Sequence, residues 1–216
     1  VAEDGETLEA GDSKVLTGAI MTVSEAAPVT AENKVVGEGD KQKTFAAKIE
    51  GNNYTFDATL TGTLTVYTEK KDNQPVTVTE NGETMKDFDA IAQKLDSIQI
   101  PVVAGNTYVL STTESPLSLY GFTFDPNDKD ALSYARNIAL FKKLYDGLTA
   151  VEDTLALNNA VVTYIDGDDV FVEEESGAID FYETKIQFYV GQHLNGYIVG
   201  KNKDKNKVPV LTYCLK

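Results

Sequence analysis

The chain has no tryptophan, one cysteine, one histidine and two methionines among 216 residues. Arg136 is its one arginine. Each scarcity closes off a class of chemistry. A single thiol, Cys214, cannot form an internal disulfide, so covalent stapling adds nothing to the fold, and it reads as a small hydrophobe in a terminal strand. With His193 alone, a His-ligated metal site or a His-based triad would rest on one imidazole, set in the turn context of Leu194-Asn195-Gly196. A single arginine leaves bidentate phosphate clamps scarce. No glycine-rich phosphate loop follows a strand and opens a helix. No apolar run approaches the roughly 18 residues that a membrane-spanning helix needs. The start, Val1-Ala2-Glu3-Asp4-Gly5-Glu6, is polar and acidic, lacks signal-peptide character, and reads as a mature or trimmed terminus.

Positive charge is also in short supply. Nineteen Lys and Arg stand against 34 Asp and Glu, for a formal net charge of −15. Such a surface repels phosphate backbones and anionic head groups at long range, so nucleic acid is a disfavoured partner, while neutral glycans meet no such barrier. Residues 1–129 hold 21 acids and 10 bases and residues 130–216 hold 13 and 9, so the first part is the more acidic. A carboxylate pair can hydrolyse glycosides, but 34 acids single out no pair. No catalytic constellation emerges; neither enzymatic activity nor a cofactor is expected.

What the chain does have is a succession of short strand patterns, and 42% hydrophobic residues with which to build cores. Residues 1–14 read as a flexible segment. Strand patterns follow at Val15–Val23 and Thr44–Ile49, with a polar loop containing Gly37 and Gly39 between them. From Tyr54 to Glu69, apolar residues alternate at Tyr54, Phe56, Ala58 and Leu60, pause at Gly62, and resume at Leu64 and Val66. That pattern predicts two antiparallel strands, each with one buried face. Pro75–Thr79 is a further strand closed by the turn pair Asn81-Gly82. Met85, Phe88, Ile91 and Leu95 are spaced as one face of a short helix over 84–96, with Thr84 and Asp87 as a capping box. Strands resume at Ser97–Val103 and Thr107–Thr112, around Ala104-Gly105-Asn106, and Leu117–Phe124 closes the block.

Asp125-Pro126-Asn127-Asp128 marks a boundary, where proline and capping residues cluster and the period changes. Tyr134, Ile138, Phe141 and Tyr145 then recur at helical spacing, predicting a helix over roughly 128–146, with Lys142 and Lys143 in its last turn and Gly147 as C-cap. Short strands follow, two of them joined by the tight turn Asp166-Gly167-Asp168-Asp169.

The segment Thr61–Phe124, with Gly62-Thr63-Leu64-Thr65-Val66-Tyr67, Ala104-Gly105-Asn106-Thr107-Tyr108 and Leu119-Tyr120-Gly121-Phe122, resembles β-sandwich modules attached to secreted carbohydrate-active enzymes of gut bacteria. Residues 130–213 are similar to OB-fold-like domains of secreted Bacteroidetes lipoproteins. The likeness is carried by Ile138-Ala139-Leu140, Leu155–Val162, the Asp166–Asp169 turn, Val170–Glu173, Ser176–Ile179 with Phe181-Tyr182, Gly191, Leu194-Asn195-Gly196 and Pro209. The resemblance implies a five-stranded barrel, and such a fold by itself names no ligand.

In a barrel of this kind the second and third strands form the ligand face. Alternation turns Phe171 outward between Val170 and Val172, and turns Tyr182 and Asp180 outward beside inward Ile179 and Phe181. Tyr164 falls near the rim. These aromatics suit stacking on sugar rings or single-stranded bases. Lys201, Lys203 and Lys205 belong to a lysine-rich segment, 201–207, read as a loop between the last two strands. The acids Asp166, Asp168, Asp169, Glu173, Glu174 and Glu175 fail as a calcium loop, since position twelve is Gly177 rather than Glu, and no metal is expected.

The expected fold is therefore mainly β: a flexible segment at 1–14, an antiparallel, jelly-roll-like β-sandwich at 15–126, and an α-helix followed by a five-stranded OB-like barrel at 127–216. The expected function is non-catalytic binding, as an exported accessory protein of the bacterial surface or secretome that contacts a polysaccharide or a surface protein, with a lipid anchor ahead of Val1 compatible with that setting. Single-stranded nucleic-acid binding and a ligand-free structural spacer are the alternatives. Candidate ligand-binding residues are Tyr164, Phe171, Tyr182, Lys201, Lys203 and Lys205.

Overall fold

A computed structural model describes residues 7–36, 42–69, 76–85, 97–113, 115–147, 152–205 and 208–215. The chain is mainly β with largely antiparallel sheets and divides into two compact units, Val1–Asp128 and Lys129–Lys216. Among the described residues no helix is long and apolar enough to cross a membrane.

In the first unit, period-two alternation sets the strands. β7 (Gly62–Thr68) and β11 (Thr107–Thr112) each bury every second residue, as does β10 (Ser97–Val102) with Ile98, Ile100 and Val102. Eight strands pair as nested hairpins. β8 (Val76–Glu80) pairs with β9 (Glu83–Thr84), β7 with β10, β6 (Asn53–Ala58) with β11, and β5 (Lys43–Gly51) with β12 (Leu117–Pro126). The ribbon then folds across itself, because β12 also pairs with β7 and β11 with β8. Two sheets result. β1 (Thr7–Leu8) and β4 (Ala27–Val36) extend one, and β2 (Ser13–Leu16) and β3 (Ala19–Val23) extend the other. Side chains from both sheets, among them Phe56, Leu64, Val66, Ile98, Tyr108 and Leu110, meet in one core.

Several local expectations are corrected. β6 and β7 do not pair with each other; the chain passes between sheets where Gly62 lies, and a Cβ there would come 2.3 Å from the Asp125 carbonyl oxygen. Much of the expected polar loop before Thr44 is strand β4 over 27–36, whose Ala27 and Val29 join the core while its other face is largely polar; Gly37 and Gly39 lie outside the described residues. Residues 7–14 are not a loose arm: Leu8 is buried in the core opposite Ala27, and Ser13 and Lys14 belong to β2. Thr84, expected to cap a helix, lies in β9, and the Met85 N–H donates to the Val78 carbonyl in a ladder-like bond. Residues 86–96 of that expected helix lie outside the described residues. The Asn81-Gly82 turn is as expected, with φ of 49° and 88°.

The second unit opens with β13 (Ser133–Ala135), parallel to β14 (Glu152–Asp166). The helix predicted from residue 128 therefore begins later: α1 spans Ile138–Gly147, Tyr134 is in a strand, and no basic residue falls in its last turn. Its first N–H groups are all satisfied. Asn137 Oδ1 accepts from Leu140, Glu174 Oε1 from Ile138 and Ser176 Oγ from Ala139. β14, β15 (Asp169–Glu174), β16 (Gly177–Tyr182), β18 (Val208–Leu215) and β17 (His193–Lys205) form a ring that closes by pairing β17 with β14. β16 and β18 run parallel; the other pairs of the ring are antiparallel. Leu155, Val162, Val170, Val172, Phe181 and Leu211 are buried. α1, with Ile138, Phe141 and Leu144 buried, packs on β13 and on four strands of the ring.

Candidate ligand-binding face

β14 and β15 form a hairpin whose two-residue turn places Gly167 at φ 62°, ahead of Asp168. A bulge between Val162 and Tyr164 adds Thr163 to β14. Tyr164 thereby comes to oppose Phe171 while Val162 and Val172 stay in the core. The two rings lie 5.7 Å apart, tilted by 40°, and Tyr164 and Phe171 are 57% and 37% exposed.

The register carries the line further. Phe171 opposes Asp180 on β16, Asp180 opposes Val210 on β18, and Val210 opposes Lys203 on β17. One step along, Tyr182 opposes Thr212, which opposes Lys201. With strands about 4.8 Å apart, Tyr182 and Lys201 are spaced by about 10 Å across the wall. Phe171 is exposed, as alternation predicts, Tyr182 is half-buried and Lys201 is exposed. Asp180 is largely buried despite its outward register position.

The lysine segment differs from expectation. Residues 201–205 are strand, not loop, paired with β18 from Lys201↔Thr212 to Lys205↔Val208. Lys203 and Lys205 take strand positions, and their side chains lie outside the described residues, as does the rest of the expected loop at 206–207.

The acidic residues near the hairpin divide into two groups. Glu174 is bound to the N–H groups of Ile138 and Asn158 and to the Ser176 hydroxyl, and Asp169 accepts from the Glu183 N–H. Asp166, Asp168 and Glu173 remain exposed around the aromatic pair, and the Thr163 hydroxyl reaches Glu173. Among the described residues no three His, Cys, Asp or Glu side chains converge as metal ligands. Among the described residues of this unit the one strongly perturbed carboxyl lies elsewhere: Asp153 is buried, and burial raises its pKa to about 7 against the lowering effect of a Ser133 hydrogen bond.

Three exposed residues escaped the sequence reading. Tyr189 and Val190 sit in a turn whose neighbours pair with Val162 in both directions: the Val162 N–H donates to the Gln192 carbonyl and the Gly191 N–H to the Val162 carbonyl. Tyr197, on β17, is the most exposed aromatic described. Tyr197 directly follows the polar stretch His193-Leu194-Asn195-Gly196, and neither period nor turn chemistry singles it out there.

The first unit contains a larger cleft, of about 460 Å³, between β2–β3 and β5–β12. Its walls are mostly apolar, and Met21, Val29, Ile49 and Leu119 among them belong to or pack on the core, so it reads as a gap at the margin of the inter-sheet core. Of the aromatics in its wall, half-buried Phe45 packs against Tyr67, and buried Tyr120 donates to Glu32, which pairs with Lys48 at 2.9 Å.

Compared with known proteins, no family model matches the chain and no curated protein matches it.

Proposed function

We propose that the chain is a non-catalytic binding protein, an exported accessory protein of the bacterial surface or secretome, that contacts a glycan through the face holding Tyr164 and Phe171. The observation that carries this reading is the exposed aromatic pair on the wall of a closed barrel. Two adjacent rings left in water present apolar surface at low conformational cost, which suits the C–H faces of sugars. The exposed carboxylates Asp166, Asp168 and Glu173 beside them accept hydroxyl protons and repel phosphates.

The fold reading supports a binding role. The nested pairing of β5–β12 is consistent with the wrapping of a jelly-roll sandwich, and a five-stranded ring with a parallel β16–β18 pair is consistent with an OB-like barrel. Both architectures host ligand faces without dictating the ligand. Export and the surface setting rest on the resemblance of the sequence alone.

Affinity electrophoresis and a glycan array test the reading. The wild type is expected to be retarded by at least one neutral polysaccharide, and the double variant Tyr164→Ala, Phe171→Ala is expected to run freely. Blank results against both plant and host glycans would sink it. Single-stranded nucleic acid is the second reading, favoured by the alignment of Tyr182 with Thr212 and Lys201. A low-salt titration with labelled oligonucleotides decides that one, because binding through phosphates must weaken steeply with salt.

A further inference from the structure

Away from the aromatic pair, the second unit has a polar cleft of about 330 Å³ where β14 bulges against β17. Asn158 and Asn159 are the extra residues between Leu157↔Gly196 and Ala160↔Leu194, and Asn159 sits at φ 51°, a left-handed conformation that asparagine tolerates. Asn159 is tied by its backbone and by its side chain. The Asn159 N–H donates to Asn195 Oδ1 at 2.8 Å, and Asn159 Oδ1 lies 2.9 Å from His193 Nδ1. Gln192 Oε1 accepts from the Tyr189 N–H at 3.2 Å.

These bonds fix what the cleft offers. Asn195 and Gln192 use their carbonyl oxygens on backbone N–H groups, which leaves both NH₂ groups as donors. An amide oxygen only accepts, so neutral His193 donates through Nδ1 and keeps Nε2 as an acceptor. Gln187 adds a further amide, Tyr197 stands at 71% exposure, and Leu157 contributes apolar wall. A quarter of the chain is charged and its net charge is −15, yet none of the ten residues lining this cleft is Asp, Glu, Lys or Arg. Charged ligands of either sign find no counterion. Hydroxyls, which both donate and accept, match the set.

We propose that this cleft binds one neutral sugar residue, with Tyr197 against its C–H face and Gln192, His193 and Asn195 on its hydroxyls. Its volume sits at the low end of the ~300–1,000 Å³ typical of small-ligand sites. The inference uses residues distinct from Tyr164 and Phe171, so it stands or falls independently of the glycan-contacting face.

The test is a backbone amide NMR titration of the whole chain with methyl β-glucoside, methyl α-galactoside, N-acetylglucosamine and cellobiose, with glucuronate as the anionic control. At least one neutral sugar is expected to shift amides of residues 157–159 and 186–198, while glucuronate does not. Tyr197→Ala and Gln192→Ala are each expected to weaken that sugar about tenfold, equivalent to ~1.4 kcal/mol, with the rest of the spectrum unchanged. His193→Ala and the conservative His193→Gln separate loss of the acceptor from loss of the fold. Four outcomes overturn the proposal: shifts confined to the surroundings of Tyr164 and Phe171, equal binding of glucuronate, affinity indifferent to Tyr197→Ala, or no shift with any neutral sugar.

Discussion

In the first unit Tyr54 and Tyr108 are fully buried, whereas in the second Tyr164, Tyr189 and Tyr197 stand in solvent. The buried pair is provided for. The Tyr54 hydroxyl donates to the Ile49 and Leu117 carbonyls, and the Tyr108 hydroxyl donates to Glu80 while accepting from the Val103 N–H. Burial pushes both phenols up, Tyr108 to about 12, and the Tyr108 hydroxyl together with the Asn106 amide holds Glu80 below the usual carboxylate range. Among the described aromatics of the first unit none is exposed. One residue type thus anchors two sheets in one half of the chain and is offered to solvent in the other. The difference teaches that aromatic content alone does not locate a binding surface; its distribution between core and exterior does.

Buried polar groups cut across the two units. Tyr54 bridges two strands through bonds to both of its acceptors, whereas Thr59 Oγ1 in the first unit and Asp153 Oδ1 in the second are buried without a hydrogen bond. A buried polar atom without a partner destabilises the folded state, and for a carboxyl the cost falls on the ionised form.

The largest expected effect tests the anchoring role. Phe56→Ala, at the centre of the first core, should cost about 3–5 kcal/mol in urea unfolding. A loss below about 1 kcal/mol would mean that the two sheets do not depend on that core. Next comes Asp153. Its unfolded carboxyl titrates near 3.8 and its folded one near 7, so between those values the native state holds the extra proton. Stability is full below the lower value and is lost as pH rises through the upper one, by up to about 4 kcal/mol. Asp153→Asn should remove that slope and leave the second unit more stable than wild type at pH 8. Identical pH profiles for the two proteins would show that Asp153 is not the titrating group. Smaller again is Tyr54→Phe, which strips the donor from two buried carbonyls and should cost about 1–3 kcal/mol. Smallest of all, Phe171→Ala should shift stability by no more than about 0.5 kcal/mol, since more than a third of the residue is already in water. A cost comparable with that of Phe56→Ala would make Phe171 a packing residue and erase the contrast.

Alternation made much of this arrangement legible in the sequence. It placed Val170 and Val172 inward and Phe171 outward, Ile179 and Phe181 inward, and the Asn81-Gly82 turn where backbone with positive φ is required. Long-range pairing left no local trace. Nothing in Tyr54–Thr68 distinguishes two strands of a hairpin from two strands in different sheets, because that choice is made by β3, β10, β11 and β12. The polar outer face of β4 hid its buried side, and the parallel ladder with β14 draws 133–135 out of an otherwise helical pattern. The lysines of 201–205 imitate a loop by composition, but β18 supplies them with a ladder partner. For the candidate site, Tyr164 and Phe171 could be read from period and turn; Tyr189 and Tyr197 could not, since the first sits in an irregular connection and the second beside a glycine at φ 124°.

The insertion of β18 between β16 and β17 has a consequence in time. The last strand of the ring to be made fills the middle of the wall, so during synthesis β16 and β17 each wait with one open edge until residues 208–215 arrive. Closure is thus deferred to the end of the barrel sequence, and the half-built wall is the stage at which another chain can pair in place of β18.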